Sequence, residues 1–110
     1  EYLASLRTYD EWLADLVRKI DSMGEWGRRT TLIVTTDHGR GDGKDWTSHG
    51  GRFSAARVWL YARGPSVAAT GVLPGGEYGH ADIRPTVERL YGLKPKSCRS
   101  CGSPISPIAP

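Results

Sequence analysis

Thr30–Gly50 reads TTLIVTTDHGRGDGKDWTSHG, and its first third decides how the chain is expected to fold. Leu32, Ile33 and Val34 form a short apolar run without polar alternation. A strand that is apolar on both faces suits the centre of a parallel sheet with helices above and below it. The run stops abruptly at Asp37, His38 and Gly39. In open α/β sheets, sites gather at the C-terminal ends of strands, so a carboxylate and an imidazole at this tip are placed to hold a metal ion. Neighbouring side chains in a strand point to opposite faces, so both reach one ion only if the backbone turns as it leaves the strand. Gly39 permits that turn. The loop beyond it is polar, with glycines at 39, 41, 43, 50 and 51, and it delivers His49. Alone, an Asp-His pair is more often a turn cap beside a carbonyl-bonded imidazole. The apolar strand before it, the glycine after it and a second His-Gly eleven residues on turn the reading towards metal ligation.

On the N-terminal side, residues 2–23 place Leu3, Leu6, Leu13, Leu16, Val17, Ile20 and Met23 at spacings of mainly three or four. That period predicts a helix with one apolar face, leaving Arg7, Glu11, Asp15, Arg18 and Lys19 off it. Gly24 is its expected stop. Helix, short loop and apolar strand make half of a β-α-β unit whose first strand is missing. On the C-terminal side, ARVWLYA (56–62) predicts a second strand, ended by Arg63, Gly64 and Pro65. Residues 66–79 contain four more glycines and read as a loop. A second helix is expected from about Asp82 to Tyr91, with Asp82 as cap, Pro85 in the first turn, Ile83, Val87 and Leu90 on its apolar face, and Gly92 at its end. The expected fold class is therefore α/β with a mainly parallel sheet. Residues 1–93 form its folded part, and 94–110 a flexible tail rich in Pro and Ser. Two strands and two helices do not close such a sheet, so apolar surface and bare strand edges are expected.

Composition limits the alternatives. With 110 residues, 38% hydrophobic and 25% charged, the chain is at most one domain with a modest core. No apolar run approaches the roughly 20 residues of a membrane span, and no charged-then-apolar leader precedes the first helix, although the chain opens on Glu1 rather than Met. The net charge of +3 is mild and its basic residues are scattered, apart from Lys94, Lys96 and Arg99. Nucleic-acid modules carry a denser stripe with stacking aromatics, so no nucleic-acid partner is expected. Cys98 and Cys101 make a single C-x-x-C. A zinc ribbon needs a second pair, and a redox site normally opens a helix. A solvated tail or an adventitious disulfide is therefore expected, with a small zinc-binding tail as the alternative.

TLIVTTDHGRG, then WTSHG at Trp46–Gly50, then VWLYARGPSV and ADIRPTVERLYGL together resemble the C-terminal portion of the alkaline phosphatase superfamily. That group spans alkaline phosphatases, nucleotide pyrophosphatase/phosphodiesterases, cofactor-independent phosphoglycerate mutases and sulfatases. The resemblance runs from the opening helix to about Leu93 and is most specific over residues 31–50. It implies a partial alkaline-phosphatase-like α/β/α sandwich, with residues 1–93 as the C-terminal part of a metal-dependent hydrolase domain. It implies two divalent ions, zinc in the phosphatase branches, with manganese or calcium as alternatives. By position Asp37 and His38 bind the ion that also holds the nucleophile, and His49 binds the other. The nucleophilic Ser or Thr and the remaining ligands are expected upstream, in a missing N-terminal part of the same domain, so no nucleophile is assigned within the chain. The implied chemistry is in-line displacement on a small phosphate ester by a phosphomonoesterase or phosphodiesterase, and many relatives of this kind are exported to the periplasm or secreted. A sulfatase or mutase of the same superfamily, an inactive fragment and a metal-binding module are the alternatives. Arg40 offers a planar fork to a phosphate oxygen or a solvated loop face. His80, ahead of the DIRPT helix, is expected to serve structure or to orient a ligand.

Overall fold

The computed structural model of the chain describes residues 1–49, 56–72 and 78–110. Gly50, Gly51, Gly75 and Gly76, read above as loop residues, lie outside the described residues. Helix α1 spans Tyr2–Asp21, as the spacing of its apolar residues requires. Ser22 ends it, its Oγ donating to the Lys19 carbonyl at 2.7 Å. Gly24 follows with φ 59°, a left-handed conformation that suits glycine, and starts the single turn α2, Glu25–Arg28. Strand β1 is Leu32–Thr35, strand β2 is Leu60–Arg63 and helix α3 is Ile83–Leu90. Short 3-10 turns occupy Gly43–Asp45 and His80–Asp82.

The structure overturns the expected α/β/α sandwich with a mainly parallel sheet. The chain is helix-rich, and the sheet among its described residues is one antiparallel pair, with Leu32 opposite Arg63 and Thr35 opposite Leu60. The connection explains the direction. A parallel return needs a crossover of a dozen or more residues, usually a helix, whereas the described part of the β1–β2 connection carries 3-10 turns and no α-helix. The apolar run of β1 is half-buried rather than enclosed, because α1 packs on α2 and not on the sheet. What ties α1 to the sheet is a forked ion pair. Arg63 Nη2 and Nη1 donate to the two Asp21 carboxylate oxygens at 2.7 and 3.3 Å. The hydrogen bond with Asp21, and then its charge, hold the Arg63 guanidinium above its ordinary value.

The second strand is shorter than the ARVWLYA run. Regular pairing begins only at Leu60, and Thr35 Oγ1 fastens its approach by donating to the Trp59 carbonyl at 2.7 Å. Asp82 stands at the N-terminus of α3 without capping it through its side chain. Its carboxylate instead accepts from Gly79 N and from Ser103 N, each at 2.7 Å.

Residues 94–110, expected to be loose, include the buried hydrophobic side chains among the described residues. Ile105, Ile108 and Ala109 are buried together with Thr86 of α3. Hydrogen bonds lay the segment along that helix: Ile105 N donates to Thr86 Oγ1 at 2.8 Å, and Arg89 Nη1 to the Ala109 carbonyl at 3.3 Å. Cys98 and Cys101 are joined in a disulfide at the start of this strap. Elsewhere burial is sparse. The chain exposes 8738 Å², whereas a compact protein of 12.0 kDa exposes about 6000 Å². Its radius of gyration, 16.0 Å, exceeds the roughly 13 Å of a compact chain of this length. Uncovered apolar surface, expected from the element count, is thus present. It includes Leu3, Tyr9, Trp12 and Leu16 of α1. No helix among the described residues is long and apolar enough to cross a membrane.

Candidate metal centre

Asp37 and His38 leave the end of β1, and the loop after them closes on itself to bring His49 back beside them. Gly41 N donates to the Ser48 carbonyl at 3.1 Å, and Ser48 N to the Asp45 carbonyl at 2.8 Å. Within that ring Asp45 N reaches Asp42 O at 3.0 Å and Trp46 N reaches Gly43 O at 3.2 Å. The two ends of the loop therefore lie together, with the His38 and His49 rings 5.2 Å apart between centroids and tilted by 37°. Gly41 is what lets the ring close, since a Cβ there would stand 2.2 Å from the Asp45 carbonyl oxygen. Gly41→Ala should open the loop and abolish the ring-to-ring nuclear Overhauser effect between His38 and His49. An unchanged effect would mean that the ring closure does not set their approach.

A second contact fixes the loop from outside. The Arg40 guanidinium lies 4.7 Å from the Tyr2 ring centroid and 5.3 Å from that of Trp46, and the two rings meet edge to face at 5.4 Å. Stacking of this kind contributes about 0.5–1 kcal/mol per exposed pair. The structure thus engages the cation of Arg40 with the rings that join the loop to the N-terminus of α1. Trp46 anchors the loop, as a bulky apolar residue amid glycines would. Tyr2 gives no signal in the sequence, because nothing local marks a contact across 44 residues.

The geometry at the strand tip defines the chemistry. His38 Nδ1 stands 2.7 Å from the Gly39 carbonyl oxygen. A carbonyl only accepts, so the hydrogen-bond network assigns the single proton of the neutral ring to Nδ1. Nε2 then presents a lone pair, and it faces Asp37 Oδ2 at 3.4 Å. A carboxylate oxygen and a ring nitrogen so placed are bridged either by an imidazolium proton or by a metal cation. The separation fits the cation: ligand atoms about 2.0–2.1 Å from a tetrahedral zinc stand about 3.4 Å apart. Metal-bound histidines commonly donate their other ring N–H to a backbone carbonyl, which is what His38 does with Gly39. Asp37 Oδ1 accepts from His38 N at 3.0 Å, and this local bond turns the carboxylate towards the ring.

These groups are open to solvent. The Asp37 side chain is 86% exposed and that of His38 44%. Among the described residues, no three His, Cys, Asp or Glu side chains are grouped to hold one ion. The Asp37 and His38 atoms are spaced as two ligands of one ion would be, and the His49 ring stands beside them. His80 also reaches the strand tip, its Nε2 2.7 Å from the Thr36 carbonyl oxygen. It therefore touches the backbone that leads into Asp37 and not the pair itself. A groove of about 1060 Å³ reaches Thr35 and His80 but is not formed by the pair. It runs along β2 and the C-terminal strap and is lined by Leu60, Tyr61, Val67, Ile83, Ile105 and Ile108 among others, but by none of Asp37, His38 and His49. Comparison of the chain with protein-family models, with curated proteins and with solved structures finds no match.

Proposed function

We propose that Asp37, His38 and His49 contribute ligands to a divalent-metal centre, zinc by preference, that acts on small phosphate esters. One observation carries the reading: a carboxylate oxygen and an imidazole nitrogen face each other at 3.4 Å with a second imidazole ring 5.2 Å from the first. The likeness of residues 31–50 to the alkaline phosphatase superfamily supports the choice of substrate. Divalent ions held there would supply charge stabilisation at a phosphoryl group. The chain's own residues do three things. Asp37 brings negative charge, His38 presents Nε2 because Gly39 holds Nδ1, and the closed loop holds His49 alongside.

A second reading, a metal-binding module without turnover, is favoured by the exposure of Asp37 and the absence of a three-ligand group among the described residues. Calorimetric zinc titration of the 110-residue chain tests the shared claim, and an aryl phosphate assay separates the two readings. Weak zinc binding that Asp37→Asn removes is expected, with hydrolysis at background. Zinc affinity indifferent to Asp37→Asn would sink the metal-centre reading. Turnover abolished by the same substitution would instead exclude the non-catalytic one.

A further inference from the structure

We infer that His80 is a positioning residue for the Asp37–His38 pair, acting through the Thr36 carbonyl; this rests on the proposal that the pair binds metal. β1 ends at Thr35, so Thr36 is the first residue beyond the strand and its carbonyl belongs to the peptide that carries the Asp37 nitrogen. His80 Nε2 donates to that oxygen at 2.7 Å from 44 residues away. The bond fixes the plane of the Thr36–Asp37 peptide and with it the direction in which the Asp37 carboxylate leaves the strand. A rotation of that plane by about 20° would swing a side chain of this length by about 1 Å, and a misplacement of that size is enough to spoil a binding geometry.

A donor can position its acceptor only if its own base is fixed, and the turn carrying His80 is braced from two directions. Within the turn, Asp82 Oδ2 accepts from Gly79 N at 2.7 Å. From the C-terminal strap, Ser103 N donates to Asp82 Oδ1 at 2.7 Å and Gly102 N to the Ala81 carbonyl at 3.3 Å. The approach is close enough that a Cβ at Gly102 would lie 2.0 Å from Asp82 Oδ1. One helical turn further on, Thr86 Oγ1 donates to the Asp82 carbonyl at 2.6 Å and accepts from Ile105 N. The buried strap therefore supports the Asp82 turn, the turn supports His80, and His80 orients the peptide entering the pair. Removing a group that orients a metal ligand typically costs 10–100-fold in metal affinity.

The experiment compares His80→Ala and His80→Gln in the full chain. A glutamine side-chain amide keeps an N–H donor near the position of Nε2. Zinc affinity is read by calorimetry, and in the metal-free protein the ring-nitrogen shifts of His38 and its Overhauser contact with His49 are read by NMR. His80→Ala should weaken zinc binding by at least tenfold and shift the His38 ring nitrogens, and His80→Gln should recover most of both. Equal zinc affinity and unmoved His38 signals in His80→Ala would overturn the inference, as would a glutamine variant no better than the alanine one. If the unaltered chain binds no zinc, the metal reading fails by itself, and the metal-free His38 signals still decide whether His80 positions the strand tip.

Discussion

Replacing His38 with alanine should lower the zinc affinity of the chain by more than about 100-fold, since even a partner outside the ligand set is worth about 10–100-fold. The reason lies in how its two ring nitrogens are used. Nδ1 is held to the Gly39 carbonyl at 2.7 Å, so the ring is oriented before any ion arrives and Nε2 is the nitrogen left for a ligand bond. Alanine removes the donor and leaves Asp37 as a solvated carboxylate, 86% exposed, whose single charge attracts a divalent ion only weakly through water. His49→Ala should cost less, because the pairing at 3.4 Å is between Asp37 and His38. Asp42→Asn, in the same loop with its carboxylate outside the pair, should leave binding unchanged. Isothermal titration of the three variants checks the order. An Asp42 variant as damaged as the His38 variant would mean that zinc is attracted by general loop charge and not by a site.

The regular elements were largely legible because their causes are local. The three-and-four spacing of Leu3 to Met23 set α1, and Ile83, Val87 and Leu90 set α3. The apolar run after Thr31 set β1 to within a residue or two. The direction of pairing was not legible. An apolar strand reports that both faces can be buried, and says nothing about whether its neighbour arrives by a crossover or by a return. Here the return wins because the described part of the connection holds no α-helix, and the parallel expectation fails with it.

At the site, the positions of Asp37, His38 and His49 followed from strand, glycine and loop, yet their supports did not. The Arg40–Tyr2–Trp46 stack and the His80–Thr36 bond join segments about 40 residues apart, and no periodicity encodes such a meeting. The C-terminal strap misled for another reason. Pro104, Pro107 and Pro110 break any helix or strand pattern around Ile105 and Ile108, and a broken pattern reads as looseness. Proline stiffens an extended chain as well as interrupting a helix, and a stiff segment with two isoleucines loses less entropy on packing. The strap buries those isoleucines without forming a regular element.

Thr86→Val should be the most damaging single change to the stability of that strap, at about 2 kcal/mol. Thr86 is fully buried, and its hydroxyl serves two bonds, donating to the Asp82 carbonyl at 2.6 Å and accepting from Ile105 N at 2.8 Å. Valine keeps the shape and removes both. The Ile105 N–H is then left buried without an acceptor, which costs about 1–3 kcal/mol. In a chain of this size 1 kcal/mol corresponds to about 4–8 °C in Tm, so a fall of about 10 °C is expected, with amide exchange accelerated first at Ile105, Ile108 and Ala109. Thr86→Ser separates the causes. It keeps the hydroxyl and loses one methyl, worth about 0.8 kcal/mol, so it should retain more than half of the lost stability. Because Asp82, one turn below Thr86, also braces His80, the valine variant should disturb the His38 ring signals although it lies in a different part of the chain. A valine variant as stable as the parent, with protected Ile105, would show that the strap is held by its isoleucines alone. Loss of strap protection with undisturbed His38 signals would show instead that the strap and the metal pair are independent.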